Sequence, residues 1–386
     1  MRTFNLLVLA ILGLFIAACD DDDHLGDWAK ATQFSGTPRQ GAVCFEYGEG
    51  DSKVVFVGLG NGIRGEEYSD MYVFENKTWR KLDTEFPAPQ NPTETGKENK
   101  NGNGRHSAVS FVVGDYAYVG TGYVSTFSGS ANSTENRVRT YFKDFYRFNL
   151  KTQKWDGAIA SLPESAEKRR DAVAFSDGTY GYVGTGAGEN DRVFKDFYRY
   201  DPGTNKWEEI SFPGEARCGG TAFVINNAAY VCLGAGNGSS LVYDVQKFDF
   251  NTKTWTEMGA LADKPGVKQD KDYGRIPRAY AVSFISNRGS NGKDYAYIAT
   301  GYGSTYVNTV WKYNHEKDQW HQMESLPSIY YSTIALAVGF SYNGYGFFSL
   351  GANMPDATGN FMSDTWRFIP DVKEDRANDY SSSSDY

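Results

Sequence analysis

Residues 170–207 read RDAVAFSDGTYGYVGTGAGENDRVFKDFYRYDPGTNKW and divide into short apolar runs separated by turn residues. Arg170 precedes the run Ala172-Val173-Ala174-Phe175, and Asp177-Gly178 follows as a hairpin turn suited to positive φ. A second run, Tyr180 to Val183, ends in Gly184-Thr185-Gly186. After a loop comes a third, Asp196 to Asp201, and then Pro202-Gly203-Thr204-Asn205 turns the chain into a fourth that begins at Trp207. Aromatic and β-branched runs of this length, bounded by Gly, Pro, Asn and Asp, read as strands.

The same unit recurs along the chain. Arg39, Arg105, Arg170, Arg217 and Arg278 open the first strands. Gly58-Leu59-Gly60, Gly120-Thr121-Gly122, Gly184-Thr185-Gly186, Gly234-Ala235-Gly236 and the Thr300-Gly301 turn close the second. Trp79, Trp155, Trp207, Trp255 and Trp320 begin the fourth, with 48 residues from Trp207 to Trp255. Four strands repeating at about this period mean propeller blades. A sixth copy runs from Tyr331 through Asn343-Gly344 and Leu350-Gly351-Ala352 to Asp364-Thr365-Trp366-Arg367-Phe368, and then stops before its fourth strand. The missing strand stands at the other end, where Trp28 precedes Arg39 by the interval at which Trp207 precedes Arg217, within a residue. The segment Asp27 to Phe34 is therefore expected beside Phe368, closing the ring and leaving no open hydrophobic edge. The fold class expected is all-β, a six-bladed β-propeller over residues 27–371, with 1–18 a signal peptide, 19–26 an acidic linker and 372–386 a disordered tail.

Composition agrees with that reading and excludes some functions. The 386 residues include 27 Tyr, 25 Phe and 42 Gly. The formal net charge of −9 argues against a nucleic-acid partner, which would need a basic face. Cys44, Cys218 and Cys232 cannot all pair, and the Asn226-Asn227 turn places Cys232 opposite Thr221 rather than Cys218, so buried free thiols are expected. At the amino terminus Arg2 and the apolar run Leu6 to Ala18 form an export signal too short to span a bilayer.

The landmarks resemble the kelch and galactose-oxidase-like propellers of bacteria over nearly the whole mature chain, with Gly-x-Gly in place of the usual Gly-Gly. Phe15-Ile16-Ala17-Ala18-Cys19 resembles a bacterial lipobox, which implies lipidation of Cys19 and a membrane partner through that anchor. Asp20-Asp21-Asp22-Asp23 resembles the acidic signal by which Bacteroidetes send lipoproteins to the outer cell surface. The chain is also distantly similar to the N-acetylneuraminate epimerases, metal-independent kelch propellers. In that resemblance Glu167 with Arg170, or Glu215 with Arg217, are the nearest matches to a catalytic pair, though neither reproduces the family spacing.

In a propeller the loops before the first strand and after the second emerge on one face. Arg39, Arg105, Arg170, Arg217 and Arg278 are therefore expected around one channel mouth, joined by Asn61, Tyr123, Glu189, Asn237, Tyr302 and Asn353. Guanidinium forks and aromatic faces suit a sugar, especially a carboxylated one, or an acidic protein partner. The competing reading is that a residue present in every repeat serves the repeat. Asp70, Asp144, Asp196, Asp244 and Asp364, at the starts of third strands, are read that way. The four histidines do not cluster, so no metal and no cofactor is expected. Binding of a glycan or partner protein is preferred over a sugar epimerase or mutarotase.

Overall fold

The computed structural model describes residues 24–89, 103–127, 137–262, 273–288, 292–303, 307–327, 334–353, 360–375 and 377. Cys19 and its flanking signals lie outside the described residues. The fold is all-β. In chain order, β1 (Asp27–Lys30) precedes blade 1, formed by β2 (Val43–Tyr47), β3 (Val54–Gly58), β4 (Asp70–Glu75) and β5 (Thr78–Glu85). Blade 2 holds β6 (Val109–Val113), β7 (Tyr116–Gly120), β10 (Phe145–Asn149) and β11 (Lys154–Ile159), interrupted by a hairpin of β8 (Tyr123–Phe127) and β9 (Arg137–Tyr141). Blade 3 runs β12 (Val173–Ser176), β13 (Gly181–Gly184), β14 (Phe197–Asp201), β15 (Lys206–Ile210), and blade 4 runs β16 (Thr221–Ile225), β17 (Ala228–Cys232), β18 (Val245–Asp249), β19 (Thr254–Glu257). Blade 5 runs β20 (Val282–Ser286), β21 (Tyr295–Ala299), β22 (Val310–Asn314), β23 (Gln319–Met323). Blade 6 has only β24 (Val338–Tyr342), β25 (Tyr345–Ser349) and β26 (Thr365–Ile369) of its own, and β1 adds to its outer edge.

That addition is the expected closure. Trp28 pairs with Phe368, and it occupies the place that Trp79 takes opposite Phe74, Trp207 opposite Tyr200 and Trp320 opposite Tyr313. Trp28 is 1% exposed and packs on Phe368, Phe348 and Phe284, so one side chain from the first strand joins blades 5 and 6. The first residues of the expected tail, 372–375, turn back along β1, and residues 378–386 lie outside the described residues. Gly26 donates to the Val372 carbonyl at 2.7 Å, and the Asp375 amide donates to Asp27 at 2.9 Å. The backbone groups beside β1 explain the difference, since a new edge strand offers partners to whatever follows β26.

Six hydrophobic clusters fill the six interfaces between blades. Each stacks the alternate side chains of one blade on those of the next, because residues two apart on a strand share a face. Two closed rings of backbone hydrogen bonds reinforce these contacts at one end of the channel. In the first, the amides of Gly60, Gly122, Gly186, Gly234, Gly301 and Gly351 donate to the carbonyls of Arg105, Arg169, Arg217, Arg278, Ile334 and Arg39, each on the following blade. In the second, Ser107 donates to Gly41, Asp171 to Ser107, Gly219 to Asp171, Tyr280 to Gly219, Leu336 to Tyr280 and Gly41 to Leu336. All six residues of this second ring have φ between 51° and 60°.

The first ring corrects the reading of blade 4. Cys232-Leu233-Gly234, not Gly234-Ala235-Gly236, is equivalent to Gly184-Thr185-Gly186: Leu233 and Thr185 share φ near 60°, and Gly234 and Gly186 lie at 100° and 94°. The first glycine of the motif is a packing requirement. A Cβ on Gly184 would sit 2.0 Å from Phe197 and one on Gly58 2.1 Å from Met71. In blade 4 the opposing residue is Val245, and in blade 6 it is Thr365, so Cys232 and Ser349 fit there. Cys232 does stand opposite Thr221, and Cys44, Cys218 and Cys232 are free.

Candidate functional site

The five repeat arginines are buried, and the sequence reading of them needs two corrections. In blade 3 the repeat residue is Arg169, one position before Arg170. Arg39, Arg105, Arg169, Arg217 and Arg278 are each 0–1% exposed. Arg39 bonds Asp70 at 2.5 Å, Arg105 bonds Asp144 at 2.5 Å, Arg169 bonds Asp196 at 2.6 Å, and Arg217 bonds Asp244. Each guanidinium also donates to the carbonyl of the middle residue of the Gly-x-Gly equivalent, for example Arg39 to Leu59 and Arg169 to Thr185. Two residues along the third strand, Tyr72, Tyr146 and Tyr198 return a hydroxyl to the same carboxylate. These forks therefore fasten the head of the first strand to the head of the third, and Arg39, Arg105, Arg217 and Arg278 do not face a ligand. Desolvating a guanidinium is tolerable only with such partners, which is why an aspartate recurs with it.

The mouth is formed instead by the residues that follow the repeat arginines and by those they bridge after the second strand. These pairs are Gln40 with Asn61, His106 with Tyr123, Arg170 with Ala187, Cys218 with Ala235, Ala279 with Tyr302, and Ala335 with Ala352. Equivalent in backbone, they differ in chemistry. Blades 4 to 6 carry mainly small groups, whereas blades 1 to 3 carry amide, imidazole, phenol and guanidinium. Beneath them lies a cavity of about 280 Å³, lined by small first-strand residues including Ala42, Ala108, Ala172, Gly220, Ala281 and Ala337.

Two polar assemblies occupy the loaded side. In the first, His106 Nδ1 lies 2.8 and 2.9 Å from the two oxygens of Glu67, with both residues buried. The Ser125 amide donates to the same carboxylate at 3.4 Å, and the Tyr123 ring lies 3.9 Å from the imidazole. A carboxylate accepting from Nδ1–H leaves Nε2 as the basic nitrogen.

In the second, Arg170 bonds the neighbouring Asp171 through one nitrogen and Asp191 at 2.7 Å through the other, beneath the face of Tyr123. Arg139, from the β8–β9 hairpin, reaches the same Asp191 oxygen at 3.3 Å. Burial raises the Asp191 carboxyl, but Arg170 and Arg139 outweigh it and hold the group below the usual range. Burial likewise opposes the charge on Arg170, and Asp171, Tyr280, Tyr123 and Asp191 together more than reverse this. Tyr280 lies beside Asp171, which with burial pushes its hydroxyl well above the usual phenol range, so it stays protonated. A Cβ on Gly219 would be 2.6 Å from the Tyr280 ring, so only glycine lets blade 5 reach across blade 4 to Asp171.

Of the residues expected at the mouth, Asn61, Tyr123, Arg170 and Tyr302 are there, and Tyr302 is 52% exposed. Glu167 points outward, 3.8 Å from Arg192, and Glu215 is exposed while Arg217 is sealed beneath it. Neither Glu167 with Arg170 nor Glu215 with Arg217 forms a pair. Sequence reasoning missed Glu67, Asp171, Asp191 and Tyr280. A signal existed for one of them: Asp171 directly follows the tandem Arg169-Arg170, where the other copies have Gly41, Ser107, Gly219, Tyr280 and Leu336. Among the described residues no group of three or more His, Cys, Asp or Glu is placed to hold a metal ion. Ile63, Val138, Tyr243 and Tyr302 are exposed, each on a segment that follows the second strand of its blade.

The KLHDC2/KLHL20/DRC7 Kelch-repeats domain family matches residues 27–232 and, in a second alignment, 106–273, and the Kelch motif matches 293–327. No curated protein matches the chain. The solved structure of YjhT is similar in fold, with a TM-score of 0.59 at 17% identity over 86% of this chain and 95% of that one.

Proposed function

This chain belongs to the kelch-repeat family, and from that premise we propose that it is a lipid-anchored surface protein that binds a glycan at its channel mouth. One observation carries the reading. On a scaffold with six equivalent positions, the residues that depart from the repeat are polar or aromatic and gather on blades 1 to 3, with Tyr302 and Tyr280 added from blade 5. Function in propellers sits on loops held by a rigid frame, and repeated residues serve the frame. Tyr302 and Tyr123 offer aromatic faces to a sugar ring, and the Arg170–Asp171–Asp191 cluster offers donors and acceptors to hydroxyl groups. A glycan array on the full chain tests this: Tyr302→Ala together with Arg170→Gln should abolish the signal, and an unchanged array would reject the site. A protein partner in place of a glycan would give a blank array and a cross-link through the same residues.

The anchor rests on Cys19. Mass spectrometry of the mature amino-terminal peptide should find acyl chains there, and Cys19→Ala should release the protein from outer membranes. A second reading, a metal-independent sugar epimerase, is favoured by His106, whose Nε2 could accept a proton while Glu67 stabilises the imidazolium. Exchange of sugar protons with solvent, followed by NMR and lost in His106→Gln, would support it; absence of exchange with bound sugar would remove it.

A further inference from the structure

The charges at the mouth say which sugars it takes. From the β8–β9 hairpin to blade 5 they run Arg139, Asp191, Arg170, Asp171, with the protonated Tyr280 hydroxyl last. Two cations and two carboxylates alternate, and Arg139 and Arg170 each spend their charge on those carboxylates. Glu67 adds a buried carboxylate to the neighbouring assembly, facing the His106 imidazole. The four arginines that could have supplied further positive charge are paired inside blades 1 to 4, and Arg278 is fully buried in blade 5. The cluster around Arg170 therefore carries no surplus cation, and it belongs to a chain of formal net charge −9.

An anionic sugar entering this mouth would meet Asp191 and Asp171 as closely as it met Arg170. It would also have to share a guanidinium whose charge is already matched by a carboxylate on each terminal nitrogen. A neutral sugar has no such conflict. Its hydroxyls can donate to the largely exposed carboxylate of Asp191, and its apolar ring face can lie on tyrosine. We propose that the mouth selects an uncharged saccharide and excludes the corresponding sugar acid. This rests on the glycan-binding reading and narrows it, and it reverses the expectation of a carboxylated ligand drawn from the arginines in sequence.

The test compares matched pairs on the full chain by saturation-transfer NMR: methyl glucoside against glucuronate, and methyl galactoside against galacturonate. At least one neutral member should bind, with its acid weaker by about ten-fold or more, as for like charges facing each other at an interface. Asp191→Asn, which frees one arm of Arg170 at a largely exposed position, should narrow or invert that ratio. Arg139→Gln should leave the acid excluded. Equal or tighter binding of the acid by the unaltered protein would overturn the charge rule while leaving the glycan site standing. Failure of every saccharide to bind would remove the site itself.

Discussion

Four of the six blades set an arginine against an aspartate at the head of the third strand, and blade 5 does not. There Arg278 is fully buried and its five donors go to the carbonyls of Arg275, Ile276, Thr300 and Thr309 and to the Thr309 hydroxyl. Burial, with Arg275 nearby, pushes the guanidinium down to about 9. Thr309→Asp would supply the missing carboxylate where the other blades have it, and Trp311 Nε1, which now donates to Thr309, could donate to it instead. The variant should unfold at higher urea, by about 1–2 kcal/mol, the scale of a charged hydrogen bond. A lower midpoint would mean that the carbonyl cage is already the better solvent for this cation. Asp177 makes the converse case. Burial raises its carboxyl, but Lys253 and the amides of Tyr180 and Thr179 more than offset this, so the folded value is lowered. A carboxylate lowered by folding adds stability that is full above its ordinary value of about 4 and is lost as pH falls from there through the lower folded value. Asp177→Asn should thus cost about 1–2 kcal/mol at pH 7 and much less at pH 3. Urea titrations that found the same loss at both pH values would assign the residue a packing role only.

At the scale of an element, β1 does the work of closure. Trp28→Ala removes an indole packed on three phenyl rings between blades 5 and 6, and should cost about 3–5 kcal/mol. Trp207→Ala, at a partly exposed position inside a continuous run of chain, should cost less; equal losses by denaturation would deny β1 any special part. The strand was legible in the sequence because a Trp at a fixed interval before an arginine has one meaning in every repeat. Blade number followed from the same landmarks. The site was less legible. Arg169 and Arg170 are the same residue type in tandem, and a slip of one position turns a strand residue to the opposite face. The periodic pattern therefore could not say which arginine is buried and which faces the mouth. In blade 4 the Gly-x-Gly pattern recurs two residues late, since Val245 opposite Cys232 removes the need for the first glycine. Glu67 reaching His106, and Tyr280 reaching Asp171, join residues from different blades across intervals set by loop length, which no local pattern encodes.

At the scale of the whole molecule, the question is whether a ring held by six similar interfaces needs its ends stitched within a sheet. The blades meet through hydrophobic faces and two rings of single backbone bonds, whereas β1 meets β26 along four paired residues. A cut between blades leaves the former, with side-chain bonds such as Lys253 to Asp177, to hold the ring shut; a cut within a blade keeps a strand ladder across it as well. The ends meet at Gly26 and Val372, so they can be joined by a short linker and the chain reopened elsewhere. New termini at the Thr252 turn, between β18 and β19, would recreate the present arrangement in blade 4. New termini at Gly214, between blades 3 and 4, would leave every blade whole and no strand crossing the seam. If the ladder is what locks the toroid, the first permutant should keep a denaturation midpoint close to that of the parent. The second should melt earlier and expose the cluster of Phe175, Phe197, Phe212 and Phe248 to a hydrophobic dye before global unfolding. Equal midpoints would show that lateral packing suffices to close the ring, and that the placement of β1 reflects the order of the chain rather than the stability of the ring.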